Sequence, residues 1–153
     1  MAAYIRNNNP TIVGAKVADD AGIAGGVLVK LANTGHDNAQ TVSATLTSAD
    51  ADHLYLTVNV KHPDNIPGDD ATYVIPKDSY IACVHPQPND EFVITVPALT
   101  SFASATQAYF AANGTLTAGA GSAGFGLFDI LDQTSAYGQP ALHIRCLSWA
   151  ANS

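Results

Sequence analysis

Leu54-Tyr55-Leu56-Thr57-Val58-Asn59-Val60-Lys61 alternates apolar and polar side chains without a break. Leu54, Leu56, Val58 and Val60 fall on one face, and Tyr55, Thr57, Asn59 and Lys61 on the other. A period of two is the pattern of a β-strand with one buried face, because successive side chains of an extended chain point to opposite sides. No stretch of the chain carries the three-to-four spacing of an amphipathic helix.

Short β-prone runs lie on either side of this segment. Gly26-Val27-Leu28-Val29-Lys30-Leu31-Ala32 and Thr41-Val42-Ser43-Ala44-Thr45-Leu46-Thr47 precede it. Runs at 72–75, 79–85 and 91–96 follow, with Phe92, Ile94 and Val96 sharing a face. Asn113-Gly114, between Tyr109-Phe110 and Leu116-Thr117, is a strong hairpin signal, since both turn residues tolerate positive φ. Residues 124–131 and 142–149 read as a closing strand pair, with a turn at 135–140. Residues 98–108, small and polar, fit a short helix or a strand-linking crossover and read best as a loop. Turn-forming residues recur between the runs, at His62-Pro63-Asp64-Asn65-Ile66-Pro67-Gly68-Asp69-Asp70 and His85-Pro86-Gln87-Pro88-Asn89-Asp90 among others. The expected fold is all-β: a single compact β-barrel or β-sandwich with an extended N-terminal arm. The arm covers residues 1–20 and the β domain 21–153, with a hinge near 62–70 if the domain divides into two unequal lobes.

Composition agrees. The chain has 153 residues, enough for one domain with a real core, and 47% are hydrophobic. Of its thirteen acids twelve are Asp and one is Glu91, and Asp favours turns where Glu favours helices. Only 12% of residues are charged, about half the usual share, which suits a surface that an assembly covers. The six cations, Arg6, Lys16, Lys30, Lys61, Lys77 and Arg145, are scattered on a chain of net charge −7. Nucleic-acid binding through phosphate neutralisation is therefore not expected. No signal peptide or membrane-spanning apolar run is seen, so synthesis in a cytoplasm and no membrane partner are expected.

The residues that usually carry chemistry stand at no productive spacing. His36, His53, His62, His85 and His143 form no metal or catalytic motif, and the pairs Asp19-Asp20, Asp50 with Asp52, and Asp69-Asp70 read as solvated turns. The glycine-rich run 119–124 lacks the following helix that a phosphate cradle needs. Cys83 and Cys146 lie in apolar runs and read as buried free thiols, and Trp149 reads as a core plug. We expect no enzyme, cofactor or metal site. The N-terminal segment reads either as an arm that orders on a partner or as a short edge strand paired to the domain; in it Tyr4 and Ile5 are apolar beside the breaker Asn7-Asn8-Asn9-Pro10. Tyr4, Ile5, Asn7, Asn8 and Asn9 are the candidate partner-binding residues: two anchors and three amides that could pair with a neighbour's strand edge. On that reading, deleting residues 1–9 leaves the domain folded.

One likeness adds to this. The order Tyr109-Phe110, Asn113-Gly114-Thr115-Leu116-Thr117, Gly124-Phe125-Gly126-Leu127-Phe128-Asp129-Ile130, then Gly138, Pro140 and Ala141-Leu142-His143-Ile144-Arg145-Cys146-Leu147 resembles the barrel-closing segment of small decoration (cement) proteins of tailed-bacteriophage heads. Residues 21–31 are similar to their first barrel strand. The stretch from His53 to Val96 falls outside the resemblance. The resemblance implies a virion protein on the capsid surface that clamps neighbouring major capsid subunits as a homotrimer. A carbohydrate-binding or receptor-binding module is the alternative, although its candidate aromatics, Tyr55, Tyr73, Tyr80, Tyr109, Tyr137 and Trp149, are dispersed along the chain.

Overall fold

The computed structural model describes residues 3–7, 12–31, 39–41, 53–58, 74–120, 124–136 and 138–151, with backbone alone at 4, 6, 7, 40, 41 and 151. Among the described residues thirteen strands run in chain order. They are β1 (Ala3–Asn7), β2 (Ile12–Lys16), β3 (Ile23–Ala24), β4 (Leu28–Leu31), β5 (Ala39–Thr41), β6 (Leu54–Val58) and β7 (Val74–Ile75). The rest are β8 (Tyr80–Val84), β9 (Glu91–Thr95), β10 (Gln107–Ala111), β11 (Leu116–Ala118), β12 (Gly124–Ala136) and β13 (Gln139–Ala151). A 3-10 turn, Leu99–Phe102, lies in the stretch 98–108, and β10 starts before that stretch ends.

The all-β expectation holds, in sandwich form. A six-stranded sheet runs β1-β9-β13-β12-β10-β11, and a five-stranded sheet β2-β8-β6-β4-β5. A small third sheet pairs β3 with β7. Every strand pairing is antiparallel. One isolated parallel bridge, Val17 to Ala39, draws the two edges of the five-stranded sheet together without closing a barrel.

The five-stranded sheet contributes to a core on each of its faces. Leu54, Leu56 and Val58 of β6 point to the larger core, as their alternation implies. There they meet Phe92, Ile94, Phe110, Phe125, Phe128 and Leu142 of the six-stranded sheet. The opposite face carries a second core of Val29, Leu31, Ile81 and Cys83, capped by Ile23 and Ile75 of the β3–β7 pair. Tyr55 packs against it, and Thr57 is wholly buried. Thr57 is tolerated because its Oγ1 donates to the Ala24 carbonyl at 2.8 Å and accepts from the Val27 amide at 3.1 Å. Fully burying each large apolar side chain contributes about 1.5–3 kcal/mol, so two cores give this modest chain ample driving force.

The N-terminal segment follows its edge-strand reading and not that of a free arm. Residues 3–7 and 12–16 are edge strands of the domain itself: β1 pairs with β9, and β2 with β8. The physical reason is burial. Ala3 is inaccessible within the larger core and Ile5 packs against that core, so the segment gains more by completing the sheet than by standing free. The chain passes from one sheet to the other between Asn7, opposite Glu91, and Ile12, opposite Val84. The hinge expected near 62–70 and most of the run 41–47 lie outside the described residues.

β12 and β13 form a long hairpin that extends past the expected strand ends. Ser135 pairs with Pro140 and Ala136 with Gln139, which compresses the turn into two residues with Gly138 at φ 74°.

Candidate functional site

The hairpin and β9 bring together charges that lie far apart in sequence. His143 on β13 and Glu91 on β9 meet across the six-stranded sheet, with Nε2 to Oε1 2.6 Å and the two side chains 20% and 15% exposed. On neighbouring positions Arg145 reaches Asp129 of β12 at 3.4 Å. The Arg145 Nε is buried and has no hydrogen-bond partner. These four residues line the outer face of the sheet, opposite the core. Nothing in the sequence flags the Glu91–His143 pair, because 52 residues separate its members and only the β9–β13 register joins them. An imidazole held by a carboxylate is half of a general-base arrangement, and such an arrangement further needs a nucleophile or substrate atom within reach.

The thiols are chemically quiet. Burial pushes both Cys83 and Cys146 up to about 12, with the Asp90 charge adding to the shift at Cys146. A thiol so raised is neutral at physiological pH and a poor nucleophile. Both are free, and they sit in different cores, Cys83 in the smaller and Cys146 in the larger.

Two of the dispersed aromatics do converge. His85, whose Nδ1 lies 3.1 Å from the Gln87 amide nitrogen, is edge-on to Tyr55 at 5.4 Å and to Trp149 at 6.3 Å. The rings cross at 71° and 72°, so they offer no common plane for a sugar to stack on. Trp149 also meets Phe110, Phe125 and Phe128 edge to face, which makes it part of the core packing. Tyr73 and Tyr137 lie outside the described residues.

The remaining feature is an open apolar strip along β2 and β8. Ile12 pairs with Val84, Gly14 with Ala82 and Lys16 with Tyr80, so all six side-chain positions share one face of the sheet. Val84 lies in the larger core, but toward the β2 edge the cover runs out. Ile12 is 54% exposed and Tyr80 64%, and a methyl group added at Gly14 would touch nothing. A loose ion pair, Lys16 to Asp78 at 4.0 Å, borders the strip. β2 ends the sheet order, and just past it Val17 bridges to Ala39 of β5.

The candidate partner residues map unevenly onto this picture. Tyr4 and Ile5 stand opposite Val93 and Phe92 on β9, and Ile5 is turned to the domain's own core, not outward as an anchor. Asn7 closes β1 after a register irregularity, and Asn8 and Asn9 lie outside the described residues. In the same N-terminal segment the exposed large apolar side chain among the described residues is Ile12, whose neighbour Val13 packs on the smaller core.

Other candidates are scattered. Asp20 binds Lys77 at 2.6 Å on the surface, which holds its carboxyl below the ordinary value. Asp50, Asp52, Asp69 and Asp70 lie outside the described residues. Among the described residues no three His, Cys, Asp or Glu side chains are grouped to hold a metal, and no helix is long and apolar enough to cross a membrane. A scan of protein-family models gives no match to this chain, and no curated protein matches its sequence.

Proposed function

We propose that this is a non-enzymatic structural protein that binds a viral capsid and stabilises it by clamping neighbouring major capsid subunits, in the manner of a phage-head decoration protein. The observation that carries the proposal is the open strip of Ile12, Gly14 and Tyr80 along an edge strand. An exposed apolar strip on the face of a sheet suits an apolar partner surface laid over it. The low charge fraction supports the same reading, since a weakly charged surface is best kept soluble by being covered. On this reading the N-terminal segment still supplies a contact, through Ile12 on a strand already ordered by the domain.

Covering Ile12 and Tyr80 contributes on the order of 3–5 kcal/mol. A pre-ordered strand loses little further entropy on docking, so more of that free energy survives than from a free arm. One contact of this size is still weak, and a homotrimer on the capsid surface would multiply it through avidity. The test is occupancy of purified capsid lattices by wild type, Ile12→Asp and Tyr80→Ser. Occupancy by wild type and its loss in both variants, at unchanged melting temperature, is the expected result. A wild type that ignores lattices overturns the proposal.

A carbohydrate- or receptor-binding module is the second reading, favoured by the exposed Tyr80 ring. Glycan-array binding that disappears with Tyr80→Ala, from a protein that ignores capsids, would establish it.

A further inference from the structure

The link between β10 and β11, residues 112–115, contains the dipeptide most prone to spontaneous deamidation, Asn113-Gly114. The reaction runs through the backbone. The Gly114 nitrogen loses its proton and attacks Asn113 Cγ, a nitrogen–carbon bond forms, and the Cγ–Nδ2 bond breaks with departure of ammonia. Water then opens the succinimide to aspartate or isoaspartate. The small glycine offers the attacking nitrogen no shielding, and Asn113 is exposed to solvent.

The fold ties down both reacting groups. The Gly114 N–H donates to the Ala111 carbonyl at 2.8 Å, while the Ala111 N–H donates to the Thr115 carbonyl at 3.0 Å. Gly114 lies in the left-handed region at φ 81°, whereas Asn113 does not. The hairpin is thus a type I turn followed by a glycine bulge, and not the paired left-handed turn that Asn-Gly first suggests. The Asn113 Oδ1 accepts from the Thr115 amide at 3.1 Å and from the Thr115 hydroxyl at 2.7 Å. Gly114 is itself buried, and its carbonyl accepts from the Leu28 N–H at 2.9 Å, which joins the hairpin to β4 of the other sheet. To react, the glycine amide must give up Ala111, and Cγ must swing away from both Thr115 donors.

We infer that Asn113 is a modification site gated by opening of this hairpin: inert while the β10–β11 turn is closed, reactive once it opens. Local opening of a turn is the low-energy end of a protein's unfolding spectrum, so the gate works without global unfolding. The two products differ in consequence. Aspartate keeps an oxygen where Oδ1 stood and still accepts from Thr115. Isoaspartate inserts a methylene into the main chain, so the turn and the Leu28–Gly114 bond cannot both re-form. Conversion to isoaspartate therefore leaves the contact between the two sheets broken at this point.

The test is deamidation at Asn113, followed by peptide mass spectrometry with isoaspartate scored separately, at one mildly alkaline pH. The intact protein is compared with the same protein in urea. We expect conversion in urea and a rate more than about tenfold slower in the folded protein. Thr115→Ala should speed the folded-state reaction several-fold and leave the rate in urea unchanged. Asn113→Asp should keep the wild-type melting temperature. Should Thr115→Ala prove too unstable to compare, exchange protection of the Gly114 amide in the wild type serves instead. Equal rates in the folded and urea-treated protein, or a Gly114 amide that exchanges as in an unfolded chain, would overturn the inference.

Discussion

The indole Nε1–H of Trp149, on β13, donates to the carbonyl oxygen of Leu54, on β6, at 3.1 Å. One hydrogen bond thus crosses the sandwich, from the last strand of the six-stranded sheet to the start of the most regular strand of the other. Around it the indole is packed edge to face with three buried phenylalanines. Trp149→Phe keeps part of the packing and loses the bond, and it should cost about 1–3 kcal/mol. Urea titration should show a lower midpoint with an unchanged slope. An unchanged midpoint would mean that the indole does not couple the sheets.

Thr57 stands on the opposite face of that same strand. Thr57→Val keeps the shape and removes the hydroxyl, which leaves the Ala24 carbonyl and the Val27 amide without it. The expected loss is about 1–3 kcal/mol, while Thr57→Ser should lose less. Equal stability of Val and Ser variants in thermal melts would contradict this account.

The raised thiols set a pH dependence. Their folded-state value is about 12 against an ordinary 9.0, so the folded protein holds two protons that the unfolded chain releases first. The stability they contribute is complete below pH 9 and is lost as pH rises from about 9 to about 12. Unfolding free energy measured from pH 8 upward should fall, and Cys83→Val should flatten the fall. Both thiols should resist alkylation at pH 8 until denaturant is added; prompt labelling of the native protein would show that they are not buried.

Deletion of residues 1–9 removes β1 and with it Ala3 and Ile5 from the larger core. It also bares the edge of β9. The truncated protein should melt at a clearly lower temperature and aggregate more readily. A melting temperature equal to wild type would restore the picture of a dispensable arm.

The residues of β6 show where sequence sufficed. Alternation in 54–58 identified a strand and its core face, because the period of an extended chain is a property of the backbone alone. The hairpin at Asn113-Gly114 and the turn at Gly138 were legible for the same local reason, although the turn type at Gly114 was not. Whether the second face of β6 is wet or buried depends on what the chain lays over it. Ile23 and Ile75 come from short segments far apart in sequence, and nothing local says that they pair to cap a second core there. Ile5 and Ile12 tell the same story in the N-terminal segment. Each has one apolar neighbour in sequence, yet Ile5 is turned into the core and Ile12 stands exposed. Glu91 and His143 meet only because β9 and β13 are neighbours in one register. Local periodicity says which side chains share a face. Which faces are covered, and which distant residues touch, follows from strand order and register, and these are set by the free energy of the whole packed chain.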